Sequence, residues 1–511
     1  MTEPLHHPVD DLTPRWGKVI DHESCIGCHA CSTACKSENE VPLSVNRTYV
    51  KYVDVGEFPE ARRAFQVTRC NQCADAPCVT ACPTSAMYKR PDGIVDFDKN
   101  ACIGCKACMA ACPYDAIFIN PNDHTAEKCN FCAHRIDVGL EPACAVVCPT
   151  EAIMIGDLDD PTSRVSQMVN GDVVSVRRPE KETRPNLFYR GAHSATLDPL
   201  AAQRPDGGLF MWSEQTQGAE MVVSGHPDQP NSSAAALLSY DVPHRAPWGW
   251  RVSLYTLTKG LATGSYLVPL LLLLTGHLEE SSWLWQWGAP IVSGVFLAIT
   301  GLLLIADLKQ PLRFYMIFTR PQWGSWLVRG AFIIAGYSLM LGLHFAASYL
   351  GKPWHGALAL PTALLAIATA VYTAYLFAQA KARDLWQSAL LPPHLFVQAV
   401  LSASAALLPL AVVYEAGSLV PLAWVLAISS LVHLLMVAGE ITLPHGTAHA
   451  ALAIREMTVG RYRHWFWASL LLVAFGCMAP WFTPVAGALA LVGLGFYEHA
   501  YVQAGQSVPL A

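Results

Sequence analysis

Residues 25–35 read CIGCHACSTAC, and residues 102–112 read CIGCKACMAAC. Both stretches have the cysteine spacing C-x2-C-x2-C-x3-C, and the second is followed directly by Pro113. In bacterial ferredoxins, three thiolates at this spacing bind one [4Fe–4S] cluster, and the fourth thiolate ligates a different cluster. The two stretches therefore predict a fold that is built around iron–sulfur clusters.

Sixteen of the seventeen cysteines lie in four groups within this region, and the exception is Cys477. The other two groups span 70–82, spaced C-x2-C-x4-C-x3-C-P, and 129–148, where eleven residues separate two cysteine pairs. A disulfide scaffold has no reason to repeat such spacings. Zinc sites built from two C-x2-C pairs leave the remaining cysteines without a role. Sixteen thiolates complete four sites, so we predict four [4Fe–4S] clusters.

Because the fourth cysteine of each run serves a neighbouring cluster, the predicted ligand sets are swapped between runs. The central pair of clusters would be held by Cys70, Cys73, Cys78 and Cys112, and by Cys102, Cys105, Cys108 and Cys82. The outer pair would be held by Cys25, Cys28, Cys31 and Cys148, and by Cys129, Cys132, Cys144 and Cys35. The outer sets require the two ends of the region to meet.

Composition divides the 511-residue chain into unlike parts, since a cysteine-rich polar part is followed by a strongly apolar part. The repeated cysteine runs predict an α+β duplicated bacterial ferredoxin-type domain at residues 1–156. An extension and linker is expected at 157–250, and an all-α membrane domain at 251–511. The net charge of −6 is small for this length, and no nucleic-acid partner is expected.

Eight apolar segments are each about 20 residues long, the length that a helix needs to cross the hydrocarbon core of a bilayer. A large soluble core is an improbable alternative for so many segments in succession. The sequence therefore predicts an eight-helix transmembrane bundle with spans at 252–276, 288–306, 325–349, 358–379, 395–415, 421–440, 464–481 and 485–505.

Lysine and arginine are unevenly distributed between the loops on the two sides of the predicted bundle. With the N-terminus inside, ten of them flank the inner ends of the spans, and Lys352 alone lies in an outer loop. By the positive-inside rule, the iron–sulfur domain should face the cytoplasm from a multi-pass protein of the inner membrane. The N-terminal residues lack the pattern of a signal peptide, which agrees with this expectation.

Ionisable residues within or next to membrane spans are costly and often functional. Six such residues lie toward the predicted inner face and are candidates for a quinone or proton site: Lys259, Asp307, His433, Glu440, Glu498 and His499. Each of them has a structural alternative, such as capping a helix, pairing with an arginine or extending a lysine amine to the interface. Two histidines on different helices also permit a b-type haem ligated by His433 and His499.

Both parts resemble known families. Residues 20–156 resemble the four-cluster electron-transfer subunits of the iron–sulfur molybdoenzymes, such as dimethyl sulfoxide reductase, polysulfide reductase and sulfite dehydrogenase, and all sixteen cysteine positions match. Residues 250–511 resemble the NrfD-type membrane subunit of polysulfide reductase. That resemblance is carried by SLYTLTKG at 253–260, DLKQPLRF at 307–314 and AGQSVPL at 504–510.

The resemblance implies eight helices, a quinone site near the iron–sulfur part and no haem. It also implies a non-catalytic subunit that passes electrons between menaquinone or ubiquinone and a molybdopterin-containing catalytic partner. A sulfur compound such as sulfite, polysulfide or a sulfoxide is the favoured substrate of that partner. The alternatives are an ion-translocating respiratory module, with Lys259, Glu440 and Glu498 as a proton path, and a haem-bearing quinone oxidoreductase subunit.

Overall fold

The computed structural model describes residues 13–203 and 236–510. The chain forms two compact units. The first unit comprises the chain up to Arg245 together with Pro509–Ala511, and the second comprises Ala246–Val508.

Two larger sheets and two hairpins form the β-structure of the first unit. A four-stranded sheet has the order β8-β1-β10-β9, in which β1 pairs parallel with β10 and antiparallel with β8. A three-stranded antiparallel sheet has the order β11-β2-β3. The strands are β1 Trp16–Asp21, β2 Thr48–Val55, β3 Arg62–Arg69, β4 Met87–Lys89, β5 Val95–Phe97, β6 Ile117–Ile119, β7 Ala126–Lys128, β8 Ile153–Asp157, β9 Val174–Ser175, β10 Leu187–Arg190 and β11 Leu237–Tyr240.

Short helices and hairpins follow the cysteine groups. The hairpins β4-β5 and β6-β7 each come directly after a Cys-Pro turn, at Cys82 and at Cys112. The helices are α1 Ala30–Glu38, α2 Pro77–Ala81, α3 Ala107–Ala111, α4 Ala133–Ile136, α5 Ala143–Val146, α6 Arg164–Gly171 and α7 Ser194–Leu197. This pattern of short strands around small helices confirms the predicted ferredoxin-like α+β class.

Residues that we predicted to form an extension and linker contribute to both larger sheets. Strand β10 pairs with β1 over Lys18–Asp21, and β11 pairs with β2. The described part of this segment up to Arg245 therefore belongs to the first unit. The rest of the predicted linker, residues 204–235, lies outside the described part of the chain.

The second unit is helical. Its helices are α8 Trp250–Leu274, α9 Ala289–Asp307, α10 Met316–Thr319, α11 Trp326–Tyr349, α12 His355–Ala378, α13 Leu391–Tyr414, α14 Leu419–Thr442, α15 Ala448–Thr458, α16 Arg463–Gly476 and α17 Thr483–Gly505. Small residues permit close approach where α8 crosses α13. A Cβ atom placed on Gly264 would lie 1.9 Å from the carbonyl oxygen of Ala399.

Among the described residues, seven helical segments are long and apolar enough to cross a membrane. They are Trp250–Leu274, Leu284–Asp307, Trp326–Tyr349, His355–Ala378, Leu391–Tyr414, Ala416–Thr442 and Thr483–Gly505. The predicted class, a ferredoxin-like domain followed by a membrane helix bundle, is confirmed, but the predicted count of eight is not exact. The predicted span 464–481 corresponds to α16, a 14-residue helix that ends at Gly476. At 1.5 Å per residue it is about 21 Å long, whereas the hydrocarbon core is about 30 Å thick.

Candidate functional site

The backbone of the cysteine loops repeats as closely as the sequence does. Gly27 and Gly104 occupy equivalent places and have φ values of 68° and 66°. The residues two places further on, His29 and Lys106, also have positive φ. Left-handed residues next to right-handed ones turn successive N–H groups toward one side, which forms a concave site for an anion. The ligand loops are thus shaped for a negatively charged group.

The remaining loops extend the repeat. In the two Cys-Asn-x-Cys turns, Gln72 and Phe131 both have positive φ. The third residue after the last cysteine of three groups does so as well, namely Ser85, Asp115 and Glu151. The group at 70–82 therefore shares these positive-φ positions with the group at 129–148, although four residues separate its second and third cysteines and eleven separate those of the other group.

The structure brings together the predicted outer ligand sets. The Cys25 thiol interacts electrostatically with those of Cys28, Cys31 and Cys148, and we call this group the Cys28 site. The Cys35 thiol interacts with those of Cys129, Cys132 and Cys144, and we call this group the Cys132 site. Both ends of the cysteine region therefore contribute to both outer sites, as the swapped assignment requires.

The central sets are also formed. The Cys78 thiol interacts with those of Cys70, Cys73 and Cys112, which make up the Cys73 site. The Cys108 thiol interacts with those of Cys82, Cys102 and Cys105, which make up the Cys105 site. Backbone N–H groups of Met87, Gly104 and Ala126 point at sulfur atoms of this last site, at 3.3–3.4 Å.

The four sites form a row. Cys31 of the Cys28 site interacts with Cys144 of the Cys132 site. Cys129 of the Cys132 site interacts with Cys70 of the Cys73 site. Cys78 of the Cys73 site interacts with Cys108 of the Cys105 site. The order from one end to the other is therefore Cys28, Cys132, Cys73 and Cys105.

Single metal ions do not fit these thiols. Within residues 13–203 and 236–510, no three histidine, cysteine or acidic side chains are close enough to hold one ion. A zinc site draws four ligands around one atom, whereas each cysteine of a [4Fe–4S] cluster binds a different iron atom and stands further from the other three. The thiol groups suit a cluster.

A buried arginine provides a further test of whether the thiol groups suit an iron–sulfur cluster. Nη1 of Arg69 donates a hydrogen bond to Sγ of Cys144 at 3.0 Å. The side chain is fully buried, and Nε and Nη2 have no hydrogen-bond partner among the described residues. A buried cation is strongly destabilising unless a negative charge lies beside it. The anionic cluster that four thiolates would hold meets this requirement.

A second donor points at the same site. Nδ2 of Asn39 lies 3.7 Å from Sγ of Cys35 and 3.6 Å from Sγ of Cys132. Nη1 of Arg47 donates to Oδ1 of Asn39 at 2.9 Å and so fixes the orientation of the amide. Asn39 therefore contacts two thiols of one predicted ligand set, from opposite ends of the cysteine region.

The two ends of the row differ in exposure. Cys28 is exposed, and so are Ile26, two residues before it, and Val146, two residues before Cys148, each of them 58% exposed. At the equivalent position of the repeat, Ile103 is only 1% exposed. The Cys28 site is thus open to the outside of the molecule, whereas the Cys105 site is covered.

Two of the membrane candidates lie together in the second unit. Nζ of Lys259 donates to the carbonyl oxygen of Ala370 at 2.6 Å and to Oγ1 of Thr373 at 2.8 Å. Glu498 is buried and interacts electrostatically with Lys259. The two side chains line a narrow recess whose other walls are Thr256, Leu257, Gly260, Leu395, Gln398, Ser402 and Leu494.

Two other candidates belong to a second cluster. His433 is fully buried, and its Nδ1 lies 2.9 Å from Nε2 of His394. The ring of Tyr497 packs against both imidazoles, and its hydroxyl group donates to Oε2 of Glu440 at 3.0 Å. This cluster couples titratable groups from α13, α14 and α17.

Asp307 interacts electrostatically with Tyr255, as Glu498 does, and His499 packs against an aromatic ring. Asp307 ends α9 in a half-buried position. The ring of His499 packs against Trp465, with 5.0 Å between ring centroids. Of the two histidines named as candidate haem ligands, His433 pairs with His394.

Several site residues were missed by the sequence analysis. Arg69 and Asn39 carry a weak signal, since one precedes Cys70 directly and the other lies one helical turn after Cys35. His394 follows two prolines at the start of α13, and Tyr497 precedes Glu498. Adjacency to a predicted site residue is the only signal that could have found three of these four.

Two families match the chain. Residues 62–158 match the family described as a 4Fe-4S dicluster domain, and residues 240–494 match the family described as polysulphide reductase, NrfD. The first match covers three of the four cysteine groups, and the second covers most of the helical unit.

Curated relatives match the iron–sulfur part. A tetrathionate reductase subunit of Salmonella typhimurium is 40% identical over 204 residues, which are 39% of this chain and 80% of that protein. A putative dimethyl sulfoxide reductase iron–sulfur subunit of Halobacterium salinarum is 42% identical over 224 residues, which are 38% of this chain and 86% of that protein. A polysulfide reductase chain of Wolinella succinogenes is 40% identical over 180 residues, which are 35% of this chain and 94% of that protein.

Proposed function

Because the protein belongs to the iron–sulfur subunit family of these reductases and continues into an NrfD-type polysulphide reductase domain, we propose that it is a fused electron-transfer and membrane-anchor subunit. It passes electrons between the quinone pool and a molybdopterin-containing catalytic partner. The single observation that carries this proposal is the row of four thiol sites in the first unit.

The chain's own residues hold four [4Fe–4S] clusters in this proposal. When bound, such a cluster takes up and gives back one electron. The cysteines of the Cys28, Cys132, Cys73 and Cys105 sites ligate the iron atoms. The loops with positive φ aim N–H groups at the sulfurs, and all cysteines of the Cys132 and Cys73 sites are buried. A sulfur compound such as sulfite, polysulfide or a sulfoxide is the proposed substrate of the partner.

The catalytic partner docks at the Cys28 end of the row. Ile26 lies two residues before Cys28, Val146 and Val147 directly precede Cys148 of the same site, and all three side chains are exposed. Exposed apolar side chains around one site favour a protein interface there. A partner bound there brings its own redox centre close to the first site of the row. Replacing Ile26 and Val146 by glutamate should prevent copurification of the partner while leaving the iron content unchanged. Undiminished copurification would contradict this docking surface.

The quinone exchanges electrons and protons in the helical unit. Lys259 and Glu498 line one recess, while His394, His433, Tyr497 and Glu440 form a second polar cluster. Carboxylates and imidazoles that are reached by water supply the protons that quinone reduction consumes. The distribution of lysine and arginine supports an inner-membrane location with the iron–sulfur unit on the cytoplasmic side.

The first test is the composition of the purified protein. Four clusters of four irons require about sixteen iron atoms and as many acid-labile sulfides per chain. A visible spectrum that is bleached by a quinol would connect these clusters to the helical unit. Iron well below this amount, or clusters that a quinol leaves oxidised, would overturn the proposal.

The second test uses the recess. Lys259→Met removes a buried amine, and we expect it to slow bleaching by a quinol at least tenfold while the iron content stays the same. Lys352→Met, in an exposed loop between α11 and α12, is the matched control and should behave like the wild type. Equal rates in both variants would remove Lys259 from the quinone site.

One observation favours a second candidate function, an ion-translocating respiratory module. Nδ1 of His344 lies 3.1 Å from the Tyr266 hydroxyl group, and its ring packs against His355 near the opposite ends of the helices from Lys259. Buried titratable groups at both ends of α8 would be needed for proton movement across the bundle. Proteoliposomes that turn over without proton movement would exclude this function.

A further inference from the structure

Three side chains concentrate positive charge and hydrogen-bond donors at one site of the row. Beside the Cys132 site lie the Arg69 guanidinium and the Asn39 amide, whose contacts are given above. A second buried cation, Lys18, interacts electrostatically with Cys132 and Cys144. Its Nζ lies 4.0 Å from the ring centroid of Phe131, one residue before Cys132. This site is thus surrounded by groups that favour negative charge.

The cations are buried, which increases their effect. Arg69 and Lys18 are 1% and 2% exposed, so little water screens their charges. Charge interactions weaken as the effective dielectric rises, and they are several times stronger in a protein interior than in water. Arg69 also reaches Cys31 and Cys129 electrostatically, but its one hydrogen bond to sulfur is donated to Cys144.

Reduction of a site changes its charge. One electron, supplied by the quinone pool or by the partner, adds one negative charge to the group that four thiolates hold. Cations and N–H donors close to the sulfurs stabilise this additional charge. Hydrogen bonds to the sulfurs and the net charge nearby are among the factors that set the reduction potential of a cluster. Cations and N–H donors at the Cys132 site should therefore increase its reduction potential.

We propose that Arg69, assisted by Lys18 and Asn39, raises the reduction potential of the Cys132 site. The inference rests on the proposed function, because it requires a cluster at the Cys132 site. Arg69 acts through the positive charge that it places beside the thiols, so it is a positioning residue and not a catalytic residue.

The experiment is a redox titration of the purified full-length protein, followed by electron paramagnetic resonance. In Arg69→Met, one of the four reduction steps should move to lower potential, and its reduction equilibrium should change at least tenfold, or about 59 mV for one electron. Arg62→Gln is the matched control, since it removes the same charge from the exposed start of β3. It should shift no step by this amount.

Two further variants keep the proposal testable if Arg69→Met fails to assemble. Lys18→Met should lower the same step without removing a hydrogen bond to sulfur, and Asn39→Leu should lower it by removing the amide. Full iron content with no step shifted beyond the Arg62→Gln control would overturn the inference. A wild-type protein without reducible centres would instead overturn the proposed function, and the two failures are therefore distinguishable.

Discussion

Cys35 and Cys148 come from opposite ends of the cysteine region, and each completes a site whose other ligands include cysteines from the other end. Cys35 lies with Cys129, Cys132 and Cys144, and Cys148 lies with Cys25. A change at one of these thiols should therefore affect the site that the thiol completes, and not the site that the other cysteines of its run form.

Replacing Cys35 by serine should remove the Cys132 site and spare the Cys28 site, although Cys35 belongs to the same run as Cys28. The iron content should fall by about a quarter, since one of four clusters is lost. Cys477→Ser removes a cysteine outside the four groups and should leave the iron content unchanged. Loss of the Cys28 site instead would contradict the swapped ligand sets.

His244 is a second residue for which a specific effect is expected, on the pH dependence of stability. Its Nδ1 lies 2.5 Å from a carboxylate oxygen of Asp115, and its Nε2 lies 3.1 Å from one of Asp241. Burial lowers the pKa of His244, but the two carboxylates outweigh burial and raise the pKa to about 9. The folded protein thus holds a protonated imidazole where an unfolded chain would lose the proton near pH 6.5.

The sign of the pH dependence follows. Because the pKa is higher in the folded state, this residue stabilises the protein fully below about pH 6.5, and the contribution is lost as the pH rises toward 9. The loss amounts to about 3 kcal/mol at most. The unfolding temperature of the wild type should therefore fall over this pH range more than that of His244→Gln. Parallel profiles for the two proteins would contradict the assignment.

At the scale of residues, the grouping of the thiols into four sites follows from the sequence, and the groups that surround the thiols do not. Ligand grouping depends on spacing within short loops, which the sequence displays directly. Arg69 acts on Cys144 only because the sheet that contains β3 brings distant segments together, and no local pattern records that contact. Likewise, His394 is identified as a site residue only by its pairing with His433, which lies on another helix.

At the scale of elements, the contact between α8 and α13 depends on a glycine. Gly264→Ala would place a methyl group within 1.9 Å of the Ala399 carbonyl oxygen, so the helices must separate. We expect a loss of about 1–3 kcal/mol, the usual cost of overpacking, and a lower unfolding temperature in detergent. Gly294→Ala on α9 is the control, because no atom lies within 4 Å of its added Cβ. Equal unfolding temperatures would show that the contact tolerates a methyl group.

Element lengths were predicted less well than element types. The apolar run through residue 481 predicted a full span, but α16 ends at Gly476, before Pro480 and Pro484. Glycine and proline near the end of an apolar run shorten a helix without lowering its hydropathy. Strands β10 and β11 were missed because their pairing partners, β1 and β2, lie far away in the sequence.

At the scale of the whole molecule, the loop charges determine the expected orientation. Lys309 follows α9 and Lys352 follows α11, so the two lysines should lie on opposite sides of the membrane. In a Cys477→Ser background, a membrane-impermeant maleimide added to intact cells should label Lys352→Cys but not Lys309→Cys, which should react only after permeabilisation. The reverse pattern would place the iron–sulfur unit outside the cytoplasm.

The swapped ligand sets also have a consequence for biogenesis. The Cys73 and Cys105 sites draw all their ligands from residues 70–112, whereas the Cys28 and Cys132 sites each need a cysteine near residue 148. During translation the Cys73 and Cys105 sites are complete while the Cys28 and Cys132 sites still wait for their last ligands to leave the ribosome. Cluster insertion should therefore begin at the Cys73 and Cys105 sites, and a ribosome that stalls once residue 112 has left its exit tunnel should carry a nascent polypeptide able to bind half of the iron.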